Sequence, residues 1–335
     1  MLTIRHDIPQ GLTEIPASQL YQALPGPTLI HLQGRRDPGL FVSVLLHGNE
    51  TTGYAAIQEL LKKYQKQTLP RSLSIFIGNV EAARHGVRRL DSQLDYNRIW
   101  KAGTSPEHAM THQVIEEMRQ RGVFASVDIH NNTGLNPHYA CVNRIDSRFF
   151  HLARLFSRVV VYFIRPAGVQ TMAFADLCPA VTLECGKVGE RSGLDHALEY
   201  LDACLHLSEI PEHPVPEHDL NLFHTVAIMK VPDFCSLGFG EEPADLRFVP
   251  QLDHLNFIEL PAGTQLGWAT PESGARLVVS DEEGRDVGEK FFEYGGGAIH
   301  TRVPIMPSML TLDRTVIRQD CLGYLMERLR PTSPS

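Results

Sequence analysis

Two segments end an apolar run on a histidine and then enter a polar turn. In Val42-Ser-Val-Leu-Leu-His47-Gly-Asn-Glu50-Thr-Thr-Gly53, the histidine and the glutamate stand three apart across a glycine-containing turn, so both can face one metal ion. Imidazole nitrogen and carboxylate oxygen are zinc ligands, yet an open catalytic site needs at least a third ligand from elsewhere. Taken alone, His47 and Glu50 more often mark a solvated polar turn than a metal site. Ser126-Val-Asp128-Ile-His130-Asn-Asn-Thr-Gly134 changes that, because it sets His130 at a second strand end, where neighbouring strands bring side chains together. Asp128, two residues before His130, shares its strand face. It either supports a ligand by hydrogen bonding or is a buried carboxylate satisfied by backbone amides.

Two further segments offer groups for catalysis and binding. Pro179-Ala-Val-Thr-Leu-Glu184-Cys-Gly186 ends an apolar strand on a carboxylate, an unusual place for an acid unless it is paired or functional. Beside an activated water, Glu184 would serve as general base and then return the proton to a leaving amine; otherwise it pairs with Lys187 or Arg191. In Leu94-Asp-Tyr-Asn97-Arg98, the guanidinium fork and the amide together suit a carboxylate, although an exposed loop arginine ordinarily meets only solvent or a surface acid. Glu107-His108-Ala-Met-Thr-His112 places two histidines on one helical face. It lacks the glutamate directly after the first histidine that a metalloprotease helix carries, and it reads as an exposed helix face.

These residues need strands that end near one another. Short apolar runs at 40–46, 73–77, 125–129, 139–142, 159–163 and 180–183 alternate with helical stretches at 52–66, 106–121, 147–156 and 194–207. Continuous apolar runs between helices indicate buried strands, and the alternation indicates an α/β sheet, mainly parallel or mixed, with helices on both faces. Three prolines in 209–219 stop both helix and central strand, giving a catalytic domain at 1–208, a linker at 209–219 and a domain at 220–335. In the last, strand-like pieces at 225–231, 256–259 and 276–279 alternate with Gly, Pro and acidic turns, which reads as a smaller β-rich domain.

Composition narrows the function. With 43% hydrophobic and 21% charged residues in 335, there is ample material for a core. The formal charge of −8 argues against nucleic acid as a partner. It leaves room for a small anionic substrate, because Arg84, Arg88, Arg89, Arg98 and Lys101 form a local basic cluster. No apolar run has the length of a signal peptide or a membrane span, so no membrane association is expected. The six scattered cysteines read as reduced thiols of a cytoplasmic protein.

Taken together and in order, His47-Gly-Asn-Glu50, Asp95-Tyr-Asn97-Arg98, Asp128-Ile-His130-Asn-Asn-Thr and Thr182-Leu-Glu184-Cys-Gly-Lys187 resemble the succinylglutamate desuccinylase and aspartoacylase family, related to zinc carboxypeptidases. Asn256-Phe-Ile-Glu-Leu-Pro-Ala-Gly263-Thr-Gln-Leu266 resembles the β-rich carboxyl-terminal domain of these enzymes, so the likeness covers most of the chain. The resemblance implies a carboxypeptidase-like mixed sheet flanked by helices, with one Zn2+ per chain held by His47, Glu50 and His130. It further implies Glu184 as general base, Asn97 and Arg98 as the clamp for the substrate's α-carboxylate, and an arginine at the oxyanion. Arg88 is the choice for that arginine, with Arg84 and Arg89 as alternatives, and Tyr294 is a candidate to reach the pocket.

Departures from the family bear on substrate. Where aspartoacylases carry an arginine that reads the side-chain carboxylate of aspartate, this chain has Thr171-Met-Ala-Phe-Ala-Asp176, which argues against N-acetylaspartate. The expected partner is a small anionic N-acyl amino acid, or a short peptide if the chain acts as a zinc carboxypeptidase. A metal-stabilised binding protein without catalysis is the third reading. A homo-oligomer is compatible with all three.

Overall fold

The structure, a computed structural model, describes residues 1–330 of the chain. The chain forms two compact units, one built from Met1–Asn131 and His138–Leu222 and the other from Asn132–Pro137 and Phe223–Leu329.

The first unit is a mixed sheet with helices. Its strands are β1 (Thr3–Arg5), β2 (Thr28–Leu32), β3 (Gly39–Val44), β4 (Leu73–Ile77), β5 (Val123–His130), β6 (Tyr139–Val142), β7 (Val159–Tyr162) and β8 (Ala180–Glu184). They lie in the order β1-β2-β4-β3-β5-β8-β6-β7. The central strands β4, β3, β5 and β8 are mutually parallel, whereas β2 on β4 and β6 on β8 run antiparallel. Every residue of β3, β4 and β8 is buried, which is why these strands read as mainly apolar runs.

The helices are α1 (Thr52–Lys63), α2 (Val80–His85), α3 (Pro106–Arg121), α4 (Ser147–Arg154), α5 (Gln170–Phe174) and α6 (Arg191–His206). Local chemistry sets their ends. Ser105 caps α3 by accepting the His108 N–H, Pro106 occupies the first turn, and Gly122 at φ +72° lets the chain leave. Helix α6 buries Leu201 and Leu205 completely and packs on α1, each leucine contributing roughly 1.5–3 kcal/mol.

The second unit contains β9 (Asn221–Lys230), to which β13 (Val278–Asp281) and β17 (Gly323–Arg328) pair antiparallel, with β16 (Met306–Ser308) on β17. A separate five-stranded sheet, in the order β10-β11-β12-β15-β14, comprises Leu237–Phe239, Leu246–Phe248, Gln265–Ala269, Ala298–Thr301 and Phe292–Gly295. Residues 256–259, expected as a strand, are not one. Asn256 Nδ2 donates to the Asp253 and Leu310 carbonyls, and Phe257 sits at φ 58°, outside strand geometry.

All six cysteines are free and buried. Among the described residues no helix is long and apolar enough to cross a membrane.

Candidate metal centre

The parallel core brings the carboxyl ends of β3, β5 and β8 side by side. Beyond β3, Leu45 adopts φ 55°, a left-handed conformation costing a non-glycine residue roughly 1–2 kcal/mol. That reversal delivers His47 and Glu50 to the end of β5. Gly48 lies between them against α2, where an added Cβ would stand 2.2 Å from the Ala82 carbonyl carbon. Only glycine fits this approach.

His47, Glu50 and His130 converge, all buried, with one ligand atom from each lying within 4.8 Å of the others. His47 Nδ1 is 2.8 Å from Glu50 Oε1, and His130 Nδ1 is 2.6 Å from Glu50 Oε2. The opposite ring nitrogens face carboxylates. His47 Nε2 lies 3.0 Å from Asp95 Oδ1 and His130 Nε2 lies 2.7 Å from Asp128 Oδ2. A carboxylate on each outer nitrogen can hold a hydrogen there, so that with a metal bound each Nδ1 would offer it a lone pair, the usual arrangement for metal-binding histidine. Two imidazole nitrogens and a carboxylate oxygen this close together are a donor set that suits a zinc ion. Among the described residues this is the one such group.

Charge is strongly coupled here. Burial alone would raise the Glu50 carboxyl, but His47 and His130 outweigh it and hold it well below the usual carboxylate range. Burial likewise opposes ionisation of Asp95, and His47 and Arg88 overcome it. Burial would lower the His130 imidazole, yet Asp128 and Glu50 raise it well above its ordinary value.

Asp128 is thus satisfied by the side chains of His130 and Ser43 rather than by backbone amides. Its Oδ1 accepts the Ser43 hydroxyl at 2.6 Å, from the residue in register with it on β3. Asp95 was named only as part of a motif, and its role emerges from the structure: it joins His47 to Arg88, whose Nε and Nη2 donate to Asp95 Oδ2 at 3.2 and 2.9 Å. The signal in the sequence was an acid two residues before Asn97.

Of the three candidate arginines, Arg88 lies beside the centre, buried, with Nη1 3.8 Å from Glu50 Oε1. Arg84 stacks over the Tyr21 ring, and Arg89 donates to the Leu90 and Gln93 carbonyls. Asn97 is buried behind His130: its Oδ1 accepts the Gln170 N–H at 3.0 Å and its Nδ2 stands 3.1 Å from His130 Nε2. Arg98 is half-buried and donates to the Asn97 carbonyl.

Glu184 is buried at the end of β8, in register with His130 on one side and Tyr139 on the other. Residues in register on neighbouring strands project to the same face, about 4.8 Å apart, so the carboxylate rises beside His130. Thr171, in the segment where aspartoacylases carry their aspartate-reading arginine, is buried with its hydroxyl 3.2 Å from that of Thr182. His108 turns its Nδ1 to Ser105 Oγ. Within the second unit, the Tyr294 hydroxyl accepts the Leu277 N–H, and Arg276 covers its ring.

Residues 37–207 match the succinylglutamate desuccinylase/aspartoacylase catalytic domain. The fold is similar to that of the succinylglutamate desuccinylase from Chromobacterium violaceum (TM-score 0.57, 18% identity, covering 89% of this chain and 87% of that one). It is also similar to a succinylglutamate desuccinylase/aspartoacylase from Rhodobacter sphaeroides (TM-score 0.56, 14% identity, 89% and 88%). A succinylglutamate desuccinylase from Vibrio parahaemolyticus gives a TM-score of 0.54 at 15% identity, covering 83% and 86%. At these identities the likeness is one of fold. No curated protein matches the sequence.

Proposed function

The chain belongs to the succinylglutamate desuccinylase/aspartoacylase family, and from that membership we propose that it hydrolyses the amide bond of an N-acyl amino acid, with one zinc ion held by His47, Glu50 and His130. The observation that carries this reading is the register of His130 with Glu184, which sets a carboxylate beside the inward-facing imidazoles. A zinc ion in that position supplies Lewis acidity and makes water acidic near neutral pH.

The chain's own groups do the rest. Glu184 takes the proton of the water whose oxygen adds to the amide carbonyl carbon. It then gives that proton to the nitrogen as the C–N bond breaks, so the products are a carboxylate and an amino acid. Arg88, fixed by Asp95, presents positive charge to the carbonyl oxygen as it becomes an oxyanion. Arg98, with the Asn97 amide, holds the α-carboxylate and so places the scissile bond. The chain brings no arginine at Thr171 to Asp176, and Asp176 itself pairs with Arg144, so an aspartate side chain has no reader there. The preferred amino acid is therefore other than aspartate.

The test is a panel of N-succinyl and N-acetyl amino acids assayed beside dipeptides, with Glu184→Gln as control. Turnover of the N-acyl amino acids by the wild type, abolished in Glu184→Gln, is the expected result. Preference for dipeptides, or full turnover by Glu184→Gln, contradicts the reading.

A further inference from the structure

Asn131, the residue after His130, makes three hydrogen bonds that reach two other loops at the strand ends. Its backbone N–H donates to Glu50 Oε2 at 3.2 Å, its Oδ1 accepts the Thr52 N–H at 3.2 Å, and its Nδ2 donates to the Gly186 carbonyl at 2.9 Å. The side chain is buried, 3% exposed. Each partner has a reason to need it. Thr52 opens α1, so its N–H has no acceptor within the helix. Gly186 lies two residues past Glu184 at φ +73°, in a loop so close that an added Cβ would meet His138 Nε2 at 2.9 Å. Its carbonyl is fixed in direction by that conformation.

We propose that Asn131 is a positioning residue that clamps the Glu50 loop and the Glu184 loop to the strand carrying His130. This rests on the reading of Glu184 as the base. The Glu50 loop leaves β3, which pairs with β5 only as far as Ser43 and Asp128, and the Glu184 loop leaves β8, whose last backbone bond to β5 is from the Cys185 N–H to the His130 carbonyl, so beyond these residues the ladder no longer sets the separation of the loops. One short side chain with a donor and an acceptor restores that constraint. Asparagine supplies both; aspartate supplies acceptors only, and alanine neither. A base and its reacting partner tolerate little displacement, since a shift of about 1 Å can cost on the order of a hundredfold in rate.

The experiment compares wild type, Asn131→Ala and Asn131→Asp by amide hydrogen exchange in the metal-free proteins and by kcat and KM in the zinc-loaded ones. In Asn131→Ala, exchange accelerates at Thr52 and in residues 184–190, and kcat falls roughly 10–100-fold with little change in KM. In Asn131→Asp, Thr52 keeps its protection while residues 184–190 lose theirs, and kcat still falls. Unaltered exchange at Thr52 and at 184–190 in Asn131→Ala, or wild-type kcat in Asn131→Asp, overturns the proposal. If Asn131→Ala fails to fold, the contrast between the two segments in Asn131→Asp decides alone. If the wild type hydrolyses no N-acyl amino acid, the catalytic reading fails by itself, and exchange still decides whether Asn131 clamps the two loops.

Discussion

The Asp128 carboxylate is held between Ser43 and His130, accepting the serine hydroxyl at 2.6 Å and standing 2.7 Å from His130 Nε2. It orients the ring whose other nitrogen faces Glu50. Replacing it with asparagine keeps the shape and removes the charge. Asp128→Asn is expected to weaken zinc binding roughly 10–100-fold, measured by competition with a chromogenic chelator. Wild-type affinity in that variant would mean the contact does not tune the ligand.

Arg88 stands beside Glu50, and Asp95 fixes its fork. Arg88→Ala should lower kcat by roughly 10²–10³-fold while zinc still binds, the usual cost of losing an oxyanion donor. Arg84→Ala and Arg89→Ala, whose side chains face Tyr21 and local carbonyls, should leave kcat within experimental scatter. Steady-state kinetics on the three variants checks the assignment. A loss confined to Arg84 or Arg89 would move the role there.

Gly48 is expected to tolerate no side chain. A methyl group would press on the Ala82–Ala83 backbone of α2, and the Gly48 N–H donates to the Arg88 carbonyl, so the turn cannot yield without moving Arg88. Gly48→Ala should cost about 1–3 kcal/mol in denaturant unfolding of the metal-free protein and weaken zinc binding as well. Unchanged stability would show that the turn relaxes freely.

His31 predicts a pH effect away from the metal centre. Its ring is buried with Nδ1 2.8 Å from Ser74 Oγ, and burial first, then the charges of Arg121 and His6, push its pKa down to about 4. The neutral ring is the one the fold accepts. Stability from His31 is therefore complete above about pH 6.5 and is lost progressively as pH falls from there toward 4. His31→Asn should flatten the unfolding free energy over that interval relative to wild type. Parallel curves for the two proteins would remove His31 from the acid response.

Some of this was legible in the sequence for definite reasons. The strands at 73–77 and 139–142 and the helix at 106–121 have the predicted bounds, because buried strands are mainly apolar runs and α3 carries a Ser-Pro start and a glycine stop. His47, Glu50 and His130 were visible as polar residues ending such runs. Other features depend on partners far away in the chain. Strand β2 carries a buried His31 that breaks its apolar pattern, and it is completed by Ser74 more than forty residues on. Asp95 acquires its role from His47, and Asn131 from Thr52 and Gly186, so the local motifs contain both residues without showing what they do. Residues 256–259 have strand-like composition, but the Asn256 side chain takes the place of a ladder partner by bonding the Leu310 backbone on both its donor and its acceptor.

The most direct test of the whole account is zinc titration of chelator-stripped protein while following hydrolysis of N-succinyl and N-acetyl amino acids. Activity should be absent at the start, rise with added zinc and break at one equivalent per chain, with Glu50→Gln showing no such rise. Full hydrolysis by the stripped protein, or a zinc-loaded protein inert toward every N-acyl amino acid tested, would contradict it.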